Sequence, residues 1–249
     1  MKQVRFDENE MPYQTLAQFG LTQEKIEDLP LWALEDIGQG RRSPLLPIQV
    51  TDENGVTLKS RTRFALLRME DGKVDVVFYP QLEQSPLEAF SKEQQEDLLA
   101  GKAIMADMKG AEGRSIKAFV QIDPETNQVL SVPTPVIGRN LDVLKDELKL
   151  SPAELNVLQK GEPLTLIMED EQVTAGIDLN DKTGIRINQG DSQKWRTSTK
   201  REWDKYTFGC YGCWVMGDDG NLDYVPEEEY SEELWNELNS KSRAKAMKL

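Results

Sequence analysis

The chain has 249 residues, of which 44 are acidic and 30 are basic, so its formal net charge is −14. This charge argues against broad binding to nucleic acid or anionic membranes, which require basic surfaces. The sequence has no histidine, which removes the commonest general base and zinc ligand and counts against an enzyme. Two cysteines, no apolar run long enough to span a membrane and no apolar signal region together predict a cytoplasmic protein without a membrane partner.

The N-terminal third predicts two short helices followed by three strands. The first helix is expected over residues 21–29, with Thr22 as its N-cap, and the second over 31–37. Asn54-Gly55 and Asp71-Gly72 are dipeptides typical of tight hairpins. The strands on either side of them are expected at 45–50, 56–67 and 74–79. We therefore predict an N-terminal α+β domain over residues 1–85.

An internal repeat follows, because the pattern of residues 90–130 recurs at 150–187. Ser91 with Gln94, and Ser151 with Glu154, have the spacing of capping boxes that begin a helix. Alternating apolar residues separated by turn-forming residues then predict strands. Each copy therefore predicts one helix and a three-stranded antiparallel meander. Equivalent residues in this alignment are Leu98 and Leu158, Met108 and Met168, Ala118 and Ala175, Ile122 and Leu179, and Leu130 and Ile187.

Two proline-containing linkers separate these parts. The first covers residues 80–86, and the second is Val132-Pro133-Thr134-Pro135, which is expected to be extended because residues before proline avoid the helical region. These linkers define a first helix–meander domain at 86–135 and a second, degenerate one at 136–249. The second carries a C-terminal hairpin and helix. The predicted fold class is α+β, built from repeated helix–meander units.

The C-terminal region predicts a hairpin over residues 206–224 and a helix over 231–245. Leu234, Trp235 and Leu238 are expected to dock that helix. Cys210 and Cys213 form a lone C-x-x-C motif without the second ligand pair that a structural zinc needs. We expect both thiols to be reduced and packed near Phe208 or Trp214, with no metal and no cofactor.

A segment that combines basic and aromatic residues is the candidate binding site. Aromatic rings can stack on bases while lysine and arginine follow the backbone of a single strand. The same composition also suits rings that pack within the fold or contact a partner protein, and these three interpretations stay open. The residues concerned are Lys194, Trp195, Arg196, Lys200, Arg201, Trp203 and Tyr206.

The order of these parts resembles a pair of uncharacterised domain families found together in proteins of conjugative and integrative elements of Bacteroidetes. The first family is matched by Ile37-Gly38-Gln39-Gly40-Arg41-Arg42 and by Arg61-Thr62-Arg63-Phe64-Ala65-Leu66. The second is matched by Gly113-Arg114-Ser115-Ile116-Lys117-Ala118-Phe119-Val120-Gln121. The resemblance implies a bacterial mobile genetic element as context, and it identifies no catalytic residue.

The leading functional hypothesis is a non-catalytic cytoplasmic adaptor that binds another protein through its sheets or its aromatic C-terminal region. The alternative is a protein linked to nucleic acid, either by binding single strands through residues 194–206 or by imitating DNA with its acidic surface. A metal-dependent enzyme that uses carboxylates is a third hypothesis. The sequence leaves the oligomeric state open.

Overall fold

The computed structural model describes residues 6–51, 54–109, 113–169, 171–197 and 203–246. Within these ranges, eight α-helices and four three-stranded antiparallel sheets confirm the predicted α+β class. The chain divides into two compact units. One combines Met1–Gln81 with Glu202–Leu249, and the other is Leu82–Arg201. None of the helices in the described ranges is long and apolar enough to cross a membrane.

The N-terminal segment contains one sheet and three helices, one helix more than the sequence predicts. A 3₁₀ turn at Glu8–Glu10 precedes α1 (Tyr13–Ala17), α2 (Gln23–Glu27), α3 (Leu31–Gly38), β1 (Leu46–Thr51), β2 (Thr57–Arg68) and β3 (Val74–Pro80). Thr22 caps α2 by accepting a hydrogen bond from the Lys25 backbone N–H. Gly55 and Gly72 adopt positive φ angles of 80° and 85° in the two hairpin turns, which confirms both hairpins.

The second unit contains both copies of the repeat. The first copy comprises α4 (Lys92–Leu99), β4 (Ile104–Lys109), β5 (Ser115–Ile122) and β6 (Val129–Pro133), after which α5 (Thr134–Leu148) leads to the second. The second comprises α6 (Pro152–Gln159), β7 (Leu164–Met168), β8 (Glu171–Ile177) and β9 (Ile185–Gln189), followed by α7 (Ser192–Thr197). In each copy the strands pair in chain order, which confirms the helix–meander unit.

The equivalences predicted for the first half of the repeat are confirmed. Both helices begin with a complete capping box at Ser91 or Ser151. Leu98 and Leu158 are buried, with 1% and 0% of their surfaces exposed. Met108 and Met168 lie in β4 and β7. The two copies therefore share one structural plan.

The predicted alignment of the second half is wrong by two residues along the central strand. Ile104 pairs with Val120 in the first copy, whereas the equivalent Leu164 pairs with Ala175, so Ala175 corresponds to Val120 rather than to Ala118. The corrected alignment also makes two buried aspartates equivalent. Asp123 and Asp178 each accept a hydrogen bond from the backbone N–H two residues later. The β7–β8 turn is shorter than the sequence alignment assumes, so Ile177 rather than Leu179 corresponds to Ile122. The next turn is one residue longer than its counterpart in the first copy, so Ile187 corresponds to Ser131 rather than to Leu130.

The expected extended linker between the copies is only half correct. Val132 and Pro133 end β6, but Thr134 and Pro135 begin α5. Proline is tolerated there because the first turn of a helix needs no backbone N–H donor. The spacing of three buried residues, Ile137, Leu141 and Leu144, gives α5 an apolar face that the sequence analysis did not use.

The C-terminal segment packs with the N-terminal segment, whereas the sequence-based division placed it with the second repeat. It forms a sheet of β10 (Tyr206–Phe208), β11 (Gly212–Met216) and β12 (Leu222–Pro226), a 3₁₀ turn at Glu227–Glu229, and α8 (Glu232–Ala246). Trp214 and Leu222 share one core cluster with Leu21, Ile37 and Phe64. The hydrophobic core of the first unit is therefore built from both ends of the chain.

Candidate protein-binding surface

Four aromatic side chains form a continuous row on the C-terminal sheet and helix. Tyr206 and Phe208 lie on β10, Tyr230 precedes α8, and Trp235 lies in its first turns. Successive ring centroids are 6.3, 5.9 and 5.2 Å apart, and the last two contacts are edge-to-face. These distances are within the range of favourable aromatic pairs. We call these four residues the aromatic row.

The aromatic row is only partly covered by the fold. Trp235 is 41% exposed, while Tyr206, Phe208 and Tyr230 are half-buried. The expectation that the terminal helix docks through its apolar residues is thus correct for Leu234, which is buried, but only partly so for Trp235. Partly exposed tryptophan and tyrosine side chains are the residue types that contribute most to binding at protein interfaces.

Charged side chains hold the aromatic row in place. The Tyr206 hydroxyl donates a 2.6 Å hydrogen bond to Glu233, and this bond raises the pKa of Tyr206 above its usual value. Lys241 donates to the Tyr206 carbonyl at 2.7 Å and lies 5.7 Å from the centroid of the Phe208 ring. Burial raises the pKa of Tyr230 to about 12, so this ring stays neutral at physiological pH. Both tyrosines therefore present uncharged rings.

The rim of the aromatic row carries five acidic residues and one cation, Lys205, whose Nζ lies 5.1 Å from the centroid of the Tyr206 ring. The 3₁₀ turn Glu227–Glu229 lies immediately before Tyr230, and Glu232 and Glu233 begin α8. All five carboxylates belong to exposed residues. Carboxylates beside exposed ring faces favour cationic side chains, because the rings attract cations through their quadrupoles and the carboxylates attract them by charge. The surface therefore has the chemistry to accept lysine or arginine from another protein.

Asp28, at the end of α2, fixes the loop that begins this surface. Its buried carboxylate accepts hydrogen bonds from the backbone N–H groups of Cys210 and Tyr211, and from the Tyr224 hydroxyl at 2.7 Å. Burial, and then the bond to Asp28, raise the pKa of Tyr224 above its usual value. Gly209 is required there, since a Cβ at this position would lie 2.1 Å from the Asp28 carboxyl carbon. The sequence analysis missed Asp28 because its partners lie at the other end of the chain.

The structure distributes the predicted site residues over two units. Trp203 and Tyr206 belong to the first unit, where Trp203 packs edge-to-face on Trp32 at 5.3 Å. Lys194, Trp195 and Arg196 lie on α7 of the second unit. The remaining two predicted residues, Lys200 and Arg201, lie outside the described residues.

Trp195 has a structural position within the second unit. Its side chain is 7% exposed and lies against Gly176, where a Cβ would come within 2.6 Å of the ring. The Arg186 guanidinium covers the ring at 4.1 Å, and the indole N–H donates to the Arg186 carbonyl at 3.0 Å. Lys194 and Arg196 are exposed beside it. Binding of single strands through this segment stays a prediction, but the Trp195 ring already packs within the fold.

The two cysteines are free, and they differ in exposure. Cys210 is exposed at the turn between β10 and β11, whereas Cys213 is buried in β11 opposite Phe208. The expected packing near Phe208 or Trp214 is thus confirmed for Cys213, which lies opposite Phe208, but not for the exposed Cys210. Burial raises the pKa of the Cys213 thiol to about 11. Among the described residues, no group of three or more histidine, cysteine, aspartate or glutamate side chains is arranged to hold a metal ion.

Comparison with known proteins identifies one part of the chain. Residues 6–89 match the model of a family described as "Protein of unknown function (DUF4099)". No curated protein and no solved structure matches the chain. The family match covers α1 to β3 but does not reach the C-terminal sheet that completes the same core. An uncharacterised domain family is therefore supported for the N-terminal segment.

Proposed function

We propose that the protein is a non-catalytic cytoplasmic adaptor of a bacterial mobile genetic element, and that it binds a partner protein through the aromatic row. The observation that carries this proposal is the 41% exposure of Trp235 at the end of the aromatic row. A large aromatic ring that stays partly exposed beside other rings is typical of an interface.

The acidic rim defines the chemistry of the partner. Glu227–Glu229 directly precede Tyr230, and Glu232 and Glu233 lie three and two positions before Trp235, so the proposed partner contributes lysine or arginine to the contact. The absence of histidine from the sequence supports a role in binding rather than in catalysis. The resemblance to families of conjugative and integrative elements supports the proposed context.

Affinity purification from a bacterial host, with and without nuclease treatment, tests the proposal. The matched variants are Trp235→Ala and Leu58→Ala, because Leu58 is also an exposed apolar residue of the first unit, at 67% exposure, but lies on β2. We expect one protein to be retained after nuclease treatment by the wild type and by Leu58→Ala, and to be lost from Trp235→Ala. Retention that disappears with nuclease treatment would instead support the alternative linked to nucleic acid.

A further inference from the structure

The strand β7 forms an open edge of the second-repeat sheet. Among the described residues the strand order is β7-β8-β9, so β7 pairs there with β8 alone. Its five residues, Leu-Thr-Leu-Ile-Met, carry no charge, and Ile167 is 78% exposed. An exposed, uncharged edge strand presents unpaired backbone groups that can pair with another extended chain.

The equivalent edge in the first repeat is protected. Strand β4 has the same position in its sheet but carries Asp107 and Lys109. Asp107 corresponds to Ile167, and it pairs across the strands with Lys117, whereas Ile167 pairs with Gln172. Charged residues on an edge strand oppose pairing with a further strand. The two repeats therefore differ at the one feature that controls access to the edge.

We propose that the β7 edge binds an extended segment of a partner protein, which adds a fourth strand to this sheet. In this mode the backbone hydrogen bonds supply affinity and alternate side chains supply specificity. Leu164, Leu166 and Met168 point to one face of the sheet, and Thr165 and Ile167 to the other. Both faces of the edge are thus uncharged, which fits an incoming segment of β-branched and other apolar residues.

Acidic residues at both ends of β7 favour basic residues on either side of the bound partner segment. Glu169 and Glu171 are exposed where β7 turns into β8, and Glu162 is exposed before β7 begins. Lysine or arginine at the flanks of the bound segment would lie beside these carboxylates. A second copy of this chain fits poorly, because antiparallel pairing of two β7 strands around Leu166 would place Glu162 of each copy near the acidic turn of the other.

Binding of synthetic peptides to the full-length protein tests the proposal. The probes are two fluorescent peptides with capped ends and the same alternating valine–threonine core, one flanked by lysines and the other by glutamates. We expect the lysine-flanked peptide to bind at least about tenfold more tightly, a difference that higher salt reduces. Equal binding of the two peptides would overturn the proposal.

Three variants locate the binding. Ile167→Asp copies the charge that β4 carries at the equivalent position, and we expect it to weaken binding of the lysine-flanked peptide about tenfold or more. Met105→Asp places the same charge at an exposed residue of β4 and should leave binding unchanged. Asp107→Ile should create a second edge that accepts the peptide. Far-UV circular dichroism and urea unfolding of each variant show whether the fold is retained.

A failure of the β7-edge proposal can be distinguished from a failure of the proposed function. Trp235→Ala changes the aromatic row and should not affect the peptide, because Trp235 belongs to the first unit and β7 to the second. Unchanged peptide binding by a folded Ile167→Asp variant would overturn the proposal. A dimer that forms with increasing protein concentration and is removed by Ile167→Asp would assign the edge to a second copy of the chain and also overturn it.

Discussion

Asp28 accepts a 2.7 Å hydrogen bond from the hydroxyl of Tyr224, although 196 positions of sequence separate the two residues. Asp28 is only 3% exposed, and its carboxylate also accepts hydrogen bonds from backbone N–H groups of the turn between β10 and β11. One buried acid thus joins α2 to the C-terminal sheet. The aromatic row begins on β10, so its position depends on this junction.

Replacement of Asp28 tests the junction. Asp28→Ala leaves the backbone N–H groups of Cys210 and Tyr211 and the Tyr224 hydroxyl without the acceptor that they share, so we expect a loss of about 3 kcal/mol in the free energy of unfolding. Asp28→Asn keeps one acceptor oxygen and should lose less. Urea unfolding measures both, with Glu35→Ala, at an exposed acid of α3, as the control. A loss no larger than that of Glu35→Ala would contradict the role of Asp28.

Two glycines of the second unit should respond in opposite directions to alanine. Gly176→Ala would place a Cβ 2.6 Å from the Trp195 ring, so we expect destabilisation by about 2 kcal/mol or more and a change in tryptophan fluorescence. Gly138 lies inside α5 with nothing within 4 Å of a Cβ, so Gly138→Ala should stabilise by about 0.5–1 kcal/mol. Chemical denaturation measures both changes. Equal effects of the two substitutions on the free energy of unfolding would show that the buried position of Trp195 does not require close packing against Gly176.

The two thiols should differ in reactivity. Cys210 is exposed and should react quickly with iodoacetamide at pH 8, whereas Cys213 is buried and should react only when urea unfolds the protein. Mass spectrometry after timed labelling counts the modified thiols. Rapid double labelling of the folded protein would contradict the buried position of Cys213.

The raised pKa of Cys213 also predicts a pH dependence. Because this thiol ionises at about 11 in the folded protein and near 9.0 when unfolded, it contributes stability below pH 9 that is lost as the pH rises towards 11. The difference in the free energy of unfolding between the wild type and Cys213→Ala should therefore shrink between pH 8 and pH 10.5. Urea unfolding at several pH values measures it, and a constant difference would contradict this prediction.

The segment that matches the uncharacterised family should not fold alone. Trp214 and Leu222 belong to the same core as the helices of residues 6–89 and lie outside that segment. A fragment of residues 6–89 should therefore lack a cooperative unfolding transition. The matched control is a fragment of residues 82–201, which contains the whole second unit and should unfold cooperatively. A cooperative transition in the first fragment would show that its core does not require the C-terminal sheet.

Local signals predicted most of the fold. The capping boxes at Ser91 and Ser151 and the glycine turns at Gly55 and Gly72 depend on residues a few positions apart, and each element that they predicted is present. Helix α5 has a comparable signal in its apolar spacing, which the sequence analysis did not use. Pro133 and Pro135 instead favoured an extended linker, although Pro135 lies in the first turn of the helix.

Long-range contacts were not predictable from the same signals. The register of β8 depends on the length of the β7–β8 turn, which the residues shared by the two repeats on either side do not fix. Asp28 has no local feature that distinguishes it from the other acids, because its partners lie at positions 210, 211 and 224. The candidate site was predicted in part, since Tyr206 belongs to the aromatic row, whereas Trp195 packs against Gly176.

Photocrosslinking from position 235 tests the central claim most directly. A photoreactive phenylalanine derivative replaces Trp235 at the exposed end of the aromatic row, and the same derivative at the exposed Leu58 serves as the control. Illumination in the host cell should give a protein–protein crosslink from position 235 that resists nuclease, and none from position 58. Its mapped site on the partner should contain lysine or arginine. A crosslinked species that nuclease removes, or equal crosslinking from both positions, would contradict the account.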